Sequence, residues 1–121
     1  RENLKRTSVI NLLNDFGMLA SLNLSQVTKM GRDEAATKEL VTMMQNLRKP
    51  IINGQTYFDL IKDVNTIINQ PKMLSAVLGK IREFLIYIEP RIQQFVVDGD
   101  YKTNWLGKIA NLKSIYRSVI Q

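Results

Sequence analysis

Apolar side chains recur three and four residues apart along most of this 121-residue chain, and that spacing limits its fold more than any other feature. The spacing places apolar residues on one face of an α-helix, whereas a half-buried strand requires alternation. No segment alternates convincingly. We therefore predict an all-α fold, a compact bundle of five to seven helices around a single core. Short connections predict mostly antiparallel neighbours, and the absence of repeats, linkers and low-complexity tracts predicts one domain over residues 1–121.

Capping and turn residues indicate where these helices begin and end. Thr56 with Asp59 approximates a capping box, and we expect one helix to run from there to about residue 68. Pro71 suits the first position of the next helix. Pro90 predicts a break or kink in that helix, because proline lacks the backbone N–H that an interior position must donate. The Asn-Gly pair at 53–54 predicts a turn.

The chain has no Cys and no His, which excludes most catalytic and metal-binding arrangements. Disulfides, Cys/His metal sites and His-dependent triads cannot form. The six glycines fall into no phosphate-binding pattern, and the Asp-Gly-Asp at 98–100 lacks the spacing of a calcium loop. We therefore predict a non-enzymatic protein with no catalytic residues, no cofactor and no metal.

The formal net charge is +6, and residues 101–121 contain no acidic side chain. The bases of this segment are the candidate nucleic-acid-binding residues, which would contact the phosphate backbone non-specifically: Lys102, Lys108, Lys113 and Arg117. In the alternative interpretation they flank a buried stripe, lay their stems along it and keep their charges in water. The nucleic-acid function requires further bases from a neighbouring helix, such as Lys80, Arg82 or Arg91.

One side of the last helix carries small, uncharged residues instead of the Glu and Lys typical of a solvated face. Small residues allow another backbone to approach closely. Either the chain itself covers this helix on both sides, or the face is a docking or oligomer surface. The candidate partner-binding residues are Trp105, Gly107, Asn111, Ser114 and Tyr116. The two aromatic residues also suit the core, since each needs only one polar partner when buried.

The function predicted from these patterns is a protein-protein interaction or assembly module that docks onto a partner protein or onto itself. A basic nucleic-acid-associated protein is the alternative, and a carrier of an apolar ligand inside the bundle is the third possibility. The longest apolar run, Phe84 to Ile88, is too short to span a membrane. The absence of Cys and of a signal peptide favours an intracellular location. Because the chain begins at Arg1, we expect it to be processed or excised from a longer chain.

The sequence at 39–49, Glu-Leu-Val-Thr-Met-Met-Gln-Asn-Leu-Arg-Lys, followed by the apolar-periodic segment 57–68, resembles the small helical-bundle domains of transcription elongation factors. Those domains bind short peptide motifs of partner proteins. Ile-Ile-Asn at 67–69 stands where that family's third helix has an aromatic-basic ending. The resemblance implies a peptide-binding module.

Overall fold

The structure is a computed structural model that describes residues 2–21 and 29–120, with side chains from residue 6 onward. Its helices are α1 (Glu2–Ala20), α2 (Glu34–Asn46), α3 (Tyr57–Leu60), α4 (Val64–Ile68), α5 (Pro71–Phe95) and α6 (Asp100–Ile120), and its strands are β1 (Pro50–Ile52) and β2 (Gln55–Thr56). The predicted all-α class is confirmed. The sequence also predicts a short helix that begins at Ser25 and ends at Gly31, and this segment lies mostly outside the described residues.

The last helix, α6, packs against α1 on one side and against α5 on the other, and α5 also packs against α2. Only four residues separate α5 from α6, so the two lie antiparallel. The apolar stripes of these helices meet in one core cluster, in which Leu12, Leu40 and Ile109 are completely buried. The single core expected from the sequence is therefore present in the described chain.

An aromatic cluster at the centre of this core joins three elements. The Phe16 ring of α1 meets the Tyr57 ring edge-on, with centroids 5.1 Å apart, and stacks on the Phe84 ring of α5 at 5.6 Å. The Tyr57 hydroxyl donates a hydrogen bond to the Leu13 carbonyl oxygen at 2.6 Å, which satisfies its buried polar atom. The start of α3 is thereby fixed against the middle of α1.

Capping residues act as the sequence predicts. The Thr56 side chain accepts a hydrogen bond from the Asp59 backbone N–H at 3.2 Å, while the Asp59 carboxylate accepts one from the Thr56 N–H at 3.0 Å. These bonds lower the pKa of Asp59 from its usual value. The helix expected from 56 to about 68 is nevertheless divided, because a 3-10 helix at Ile61–Asp63 separates α3 from α4.

The predicted break at Pro90 is wrong, because α5 continues through this residue to Phe95. Pro90 itself is exposed, whereas Ile88 and Ile92 on either side of it are fully buried in the core. Burial of such side chains offsets an interior proline's cost of about 3 kcal/mol. Tertiary packing thus overrides the local signal.

The sequence also failed to indicate a small antiparallel hairpin between α2 and α3. Pro50 pairs with Thr56 and Ile52 with Gln55 around the turn at 53–54, whose two residues both have positive φ, 52° for Asn53 and 73° for Gly54. Asn-Gly favours this turn because both residues tolerate the left-handed region. Strands of two and three residues are too short to show alternation, so only the turn was predictable.

The hydroxyl of Tyr57 should contribute measurably to stability. We expect Tyr57→Phe to lower the free energy of unfolding by about 1 kcal/mol, since the hydrogen bond to the Leu13 carbonyl is lost while the ring packing remains. Urea unfolding followed by circular dichroism measures this change. Tyr101→Phe is the matched control because Tyr101 is 66% exposed, and an equal loss in both variants would contradict the prediction.

The buried phenol of Tyr57 should also make the free energy of unfolding depend on pH. Burial raises the pKa of Tyr57 well above its usual value of about 10. The unfolded chain ionises this phenol near pH 10 and the folded chain does not, so the stabilisation is complete below that pH and is lost as the pH rises above it. Tyr57→Phe should therefore flatten the decline in unfolding free energy between about pH 9 and 11, compared with the parent protein.

Candidate functional site

The most exposed large apolar side chains point to the surroundings of α6. In the part of the chain that the structure describes they are Met18, Ile86, Val97, Tyr101 and Ile120, with exposed fractions between 47% and 73%. Four of these five line two grooves, one on each flank of α6. Clustered apolar exposure on a folded domain is typical of a binding surface, so these grooves are the candidate sites.

The first groove, here called the α5–α6 groove, has a volume of about 310 Å³. Its lining residues come only from the two antiparallel helices: Arg82, Leu85, Ile86, Lys113, Tyr116, Arg117 and Ile120. Leu85 is buried and Tyr116 half-buried, whereas Ile86 is 55% and Ile120 57% exposed. The groove therefore combines an apolar floor with basic side chains on both walls.

Only one of the three cations in the α5–α6 groove is neutralised. The Lys113 ammonium contacts the Glu89 carboxylate at 2.5 Å, and both side chains are about 30% exposed. Arg82 and Arg117 are exposed, and neither has a carboxylate at salt-bridge distance among the described residues. One uncompensated positive charge thus remains on each wall, at positions where an anionic ligand can reach it.

The second groove, here called the α1–α6 groove, consists of two adjoining cavities of about 140 and 240 Å³. Both are lined by Met18, Leu19 and Lys108. The smaller cavity continues to Met30, Tyr101, Asn104 and Trp105, and the larger to Asp15, Asn111 and Leu112. This groove differs from the first in carrying one cation and one carboxylate.

The five residues predicted to bind a partner do not form a single site. Tyr116 lines the α5–α6 groove, whereas Trp105 and Asn111 line the α1–α6 groove. Gly107 and Ser114 are exposed on the ridge between them and line neither groove. Trp105 is only 5% exposed and belongs to the core. Within the described residues the chain does not cover Gly107 and Ser114 on the small-residue face of α6, and the use of that face as a docking surface stays a prediction.

The four predicted nucleic-acid-binding residues are also divided. The Lys102 ammonium contacts the Asp98 carboxylate at 2.9 Å and lowers the pKa of that group, so its charge is locally compensated. Lys108 lies in the α1–α6 groove, while Lys113 and Arg117 lie in the α5–α6 groove. Arg82 is the one base of a neighbouring helix that joins them in the same groove.

The two other bases that the nucleic-acid hypothesis named are engaged elsewhere. Lys80 pairs with Glu83 at 3.2 Å, and the Arg91 guanidinium lies 3.8 Å from the centroid of the Tyr87 ring. The same Arg91 group donates a hydrogen bond to the Tyr87 carbonyl oxygen at 2.8 Å. A continuous track of free bases along α5 and α6 is therefore not formed by these residues.

Of the two exposed isoleucines of this surface, sequence reasoning indicated Ile86 and missed Ile120. Ile86 carried a signal, since it belongs to the unbroken apolar run at 84–88 and such a run cannot be buried on every side of a surface helix. No pattern in the sequence indicated Ile120, because its exposure depends on the position of α5 beside α6.

The described residues contain neither a metal-binding cluster nor a membrane-spanning helix. No group of three or more acidic side chains in that part of the chain is arranged to hold a metal ion. No helix there has the length and hydropathy to cross a bilayer.

Comparisons with protein-family models, with curated proteins and with solved structures found no match, so the resemblance of residues 39–68 to elongation-factor domains gains no support.

The exposed ridge of α6 should tolerate larger residues at Gly107. A Cβ at this position meets no atom within 4 Å, so Gly107→Ala should raise the free energy of unfolding by about 0.5–1 kcal/mol through helix propensity. Gly107→Lys should also fold. Gly31→Ala is the contrasting variant, because its Cβ would lie 2.9 Å from the Thr37 backbone N and Cα. Thermal unfolding measures both, and loss of folding in Gly107→Lys would contradict the exposed position of this residue.

Proposed function

We propose that this protein is a docking module whose α5–α6 groove binds an amphipathic helix of a partner protein, with acidic residues on that helix beside its apolar face. The observation that carries this proposal is the juxtaposition, on facing helices, of two exposed isoleucines, Ile86 and Ile120, with two arginines that have no carboxylate partner among the described residues, Arg82 and Arg117. Apolar anchors of the partner would cover the floor, and its carboxylates would meet the arginines.

The dimensions of the groove suit a short helix. Its lining spans residues 82–86 on α5 and 113–120 on α6, and a seven-residue interval on a helix corresponds to about 10 Å. Two to three turns of a partner helix cover this distance and present apolar anchors at intervals of three and four residues. Guanidinium groups suit carboxylates because two parallel N–H groups can bind both oxygens.

The chemistry of the groove favours a protein partner over nucleic acid. Backbone phosphates are bound by free cations and gain nothing from an aliphatic floor, whereas here the two arginines share the groove with the aliphatic side chains of Leu85, Ile86 and Ile120, and the third cation, Lys113, is paired with Glu89. The apolar-ligand alternative receives no support from these three cavities, since each of them opens on the surface of the bundle.

Fluorescence anisotropy with a labelled synthetic peptide of about 15 residues tests the proposal. The peptide carries leucines at positions i, i+4 and i+7 and glutamates beside them. We expect saturable binding that Arg82→Glu combined with Arg117→Glu weakens at least about tenfold, because the carboxylates then face like charges. Lys38→Glu combined with Lys62→Glu is the matched control, since it changes the net charge equally at exposed positions outside the groove.

Three outcomes would overturn the proposal. Equal weakening in both double variants would mean that the peptide responds to net charge and not to the groove. Tighter binding of labelled single- or double-stranded oligonucleotides at physiological salt, lost in the groove variant, would establish the nucleic-acid alternative. A concentration-dependent dimer in sedimentation, abolished by Ile86→Ser, would make a second copy of the chain the occupant.

A further inference from the structure

Trp105 presents a buried polar atom that nothing in the described structure satisfies. Its side chain is 5% exposed, and the indole Nε1, a hydrogen-bond donor, has no acceptor. Leaving such a donor unpaired costs free energy, and buried polar groups in folded proteins almost always have a partner. The residue also lines the smaller cavity of the α1–α6 groove, so a ligand held there lies against the Trp105 side chain.

The same cavity also holds a cation and a displaceable apolar wall. Lys108 is exposed and forms no ion pair with a described carboxylate. Met18 and Tyr101 are 73% and 66% exposed, although side chains of this size are normally covered. Met18 lines the cavity together with Trp105, and its thioether chain rotates about three bonds, so this wall of the cavity can adapt to a ligand.

From this arrangement we infer that the Trp105 cavity binds a small aromatic or aliphatic monocarboxylate. The apolar part of the ligand would lie against Met18, Met30 and Tyr101, and the carboxylate would accept a hydrogen bond from the indole Nε1 and pair with Lys108. This site is independent of the proposed docking function, because it lies on the opposite flank of α6 from the α5–α6 groove.

Size and charge define the ligand further. The cavity volume is about 140 Å³, close to the roughly 150 Å³ that accommodates a benzene ring in a protein interior. Asp15 lines the adjoining cavity and repels an anion there, so the carboxylate is expected at the end that holds Trp105. Benzoate and hexanoate match this size and charge, and benzamide is the uncharged analogue that keeps a carbonyl acceptor.

The chain has one Trp, so a single indole N–H signal in a ¹⁵N–¹H correlation spectrum reports on this site. We expect benzoate to shift that signal downfield with saturation and a Kd on the order of 1 mM, as for a ligand of nine heavy atoms. Lys108→Gln should weaken benzoate binding about threefold to tenfold and leave benzamide binding unchanged. Arg117→Gln is the matched control, because it removes a cation of the same helix on the other flank, and it should not alter either affinity.

The proposal fails if the indole signal does not move with benzoate or hexanoate, or if its shift does not saturate. It also fails if Lys108→Gln and Arg117→Gln weaken benzoate binding equally, because the effect then reflects net charge. Binding of benzoate that shifts backbone signals of α5 and α6 but not the indole signal would place the ligand in the other groove and overturn the assignment.

Discussion

The ring of Phe16 is packed between those of Tyr57 and Phe84, and the arrangement of the bundle depends on this contact. It joins α1 to α3 and to α5, while the hydrogen bond from the Tyr57 hydroxyl to the Leu13 carbonyl oxygen fixes their register. With α1 and α5 held in place, α6 can bury its apolar stripe only between them. A helix that rests on two neighbours leaves a groove on each flank and an outer face open to solvent.

The two grooves share α6 but differ in chemistry, because the other wall of each comes from a different helix. On one flank α5 adds Arg82 and Ile86, which gives a basic rim over an apolar floor. On the other flank α1 adds Met18 and Asp15, beside the buried Trp105, whose indole N–H has no acceptor among the described residues. The first combination suits an acidic amphipathic helix and the second a small carboxylate, so one helix supports two separate binding proposals.

The sequence predicted which residues of α6 are buried and which flank the buried stripe. It did not predict which of them share a groove with residues of a neighbouring helix. The helical period separated the buried stripe from the flanking bases, and Arg82 was among the bases that a shared site would require. The period gives the direction of each side chain around its own helix axis, but it does not say which neighbour lies on which side. The period therefore separated Lys108 from Lys113 and Arg117, on opposite edges of the buried stripe, but could not assign either edge to the groove beside α1 or the groove beside α5. The same limit hid the approach of Ile120 to Ile86.

By itself the sequence determined the helical class, the capping box at Thr56 and the start of α5 at Pro71, because these depend on interactions within a few residues. The tertiary structure decided the continuity of α5 through Pro90, since burial of Ile88 and Ile92 offsets a local cost that the sequence signals on its own. It also decided which side chains share a groove. Such sharing depends on contacts between residues far apart in the chain, and local periodicity carries no information about them.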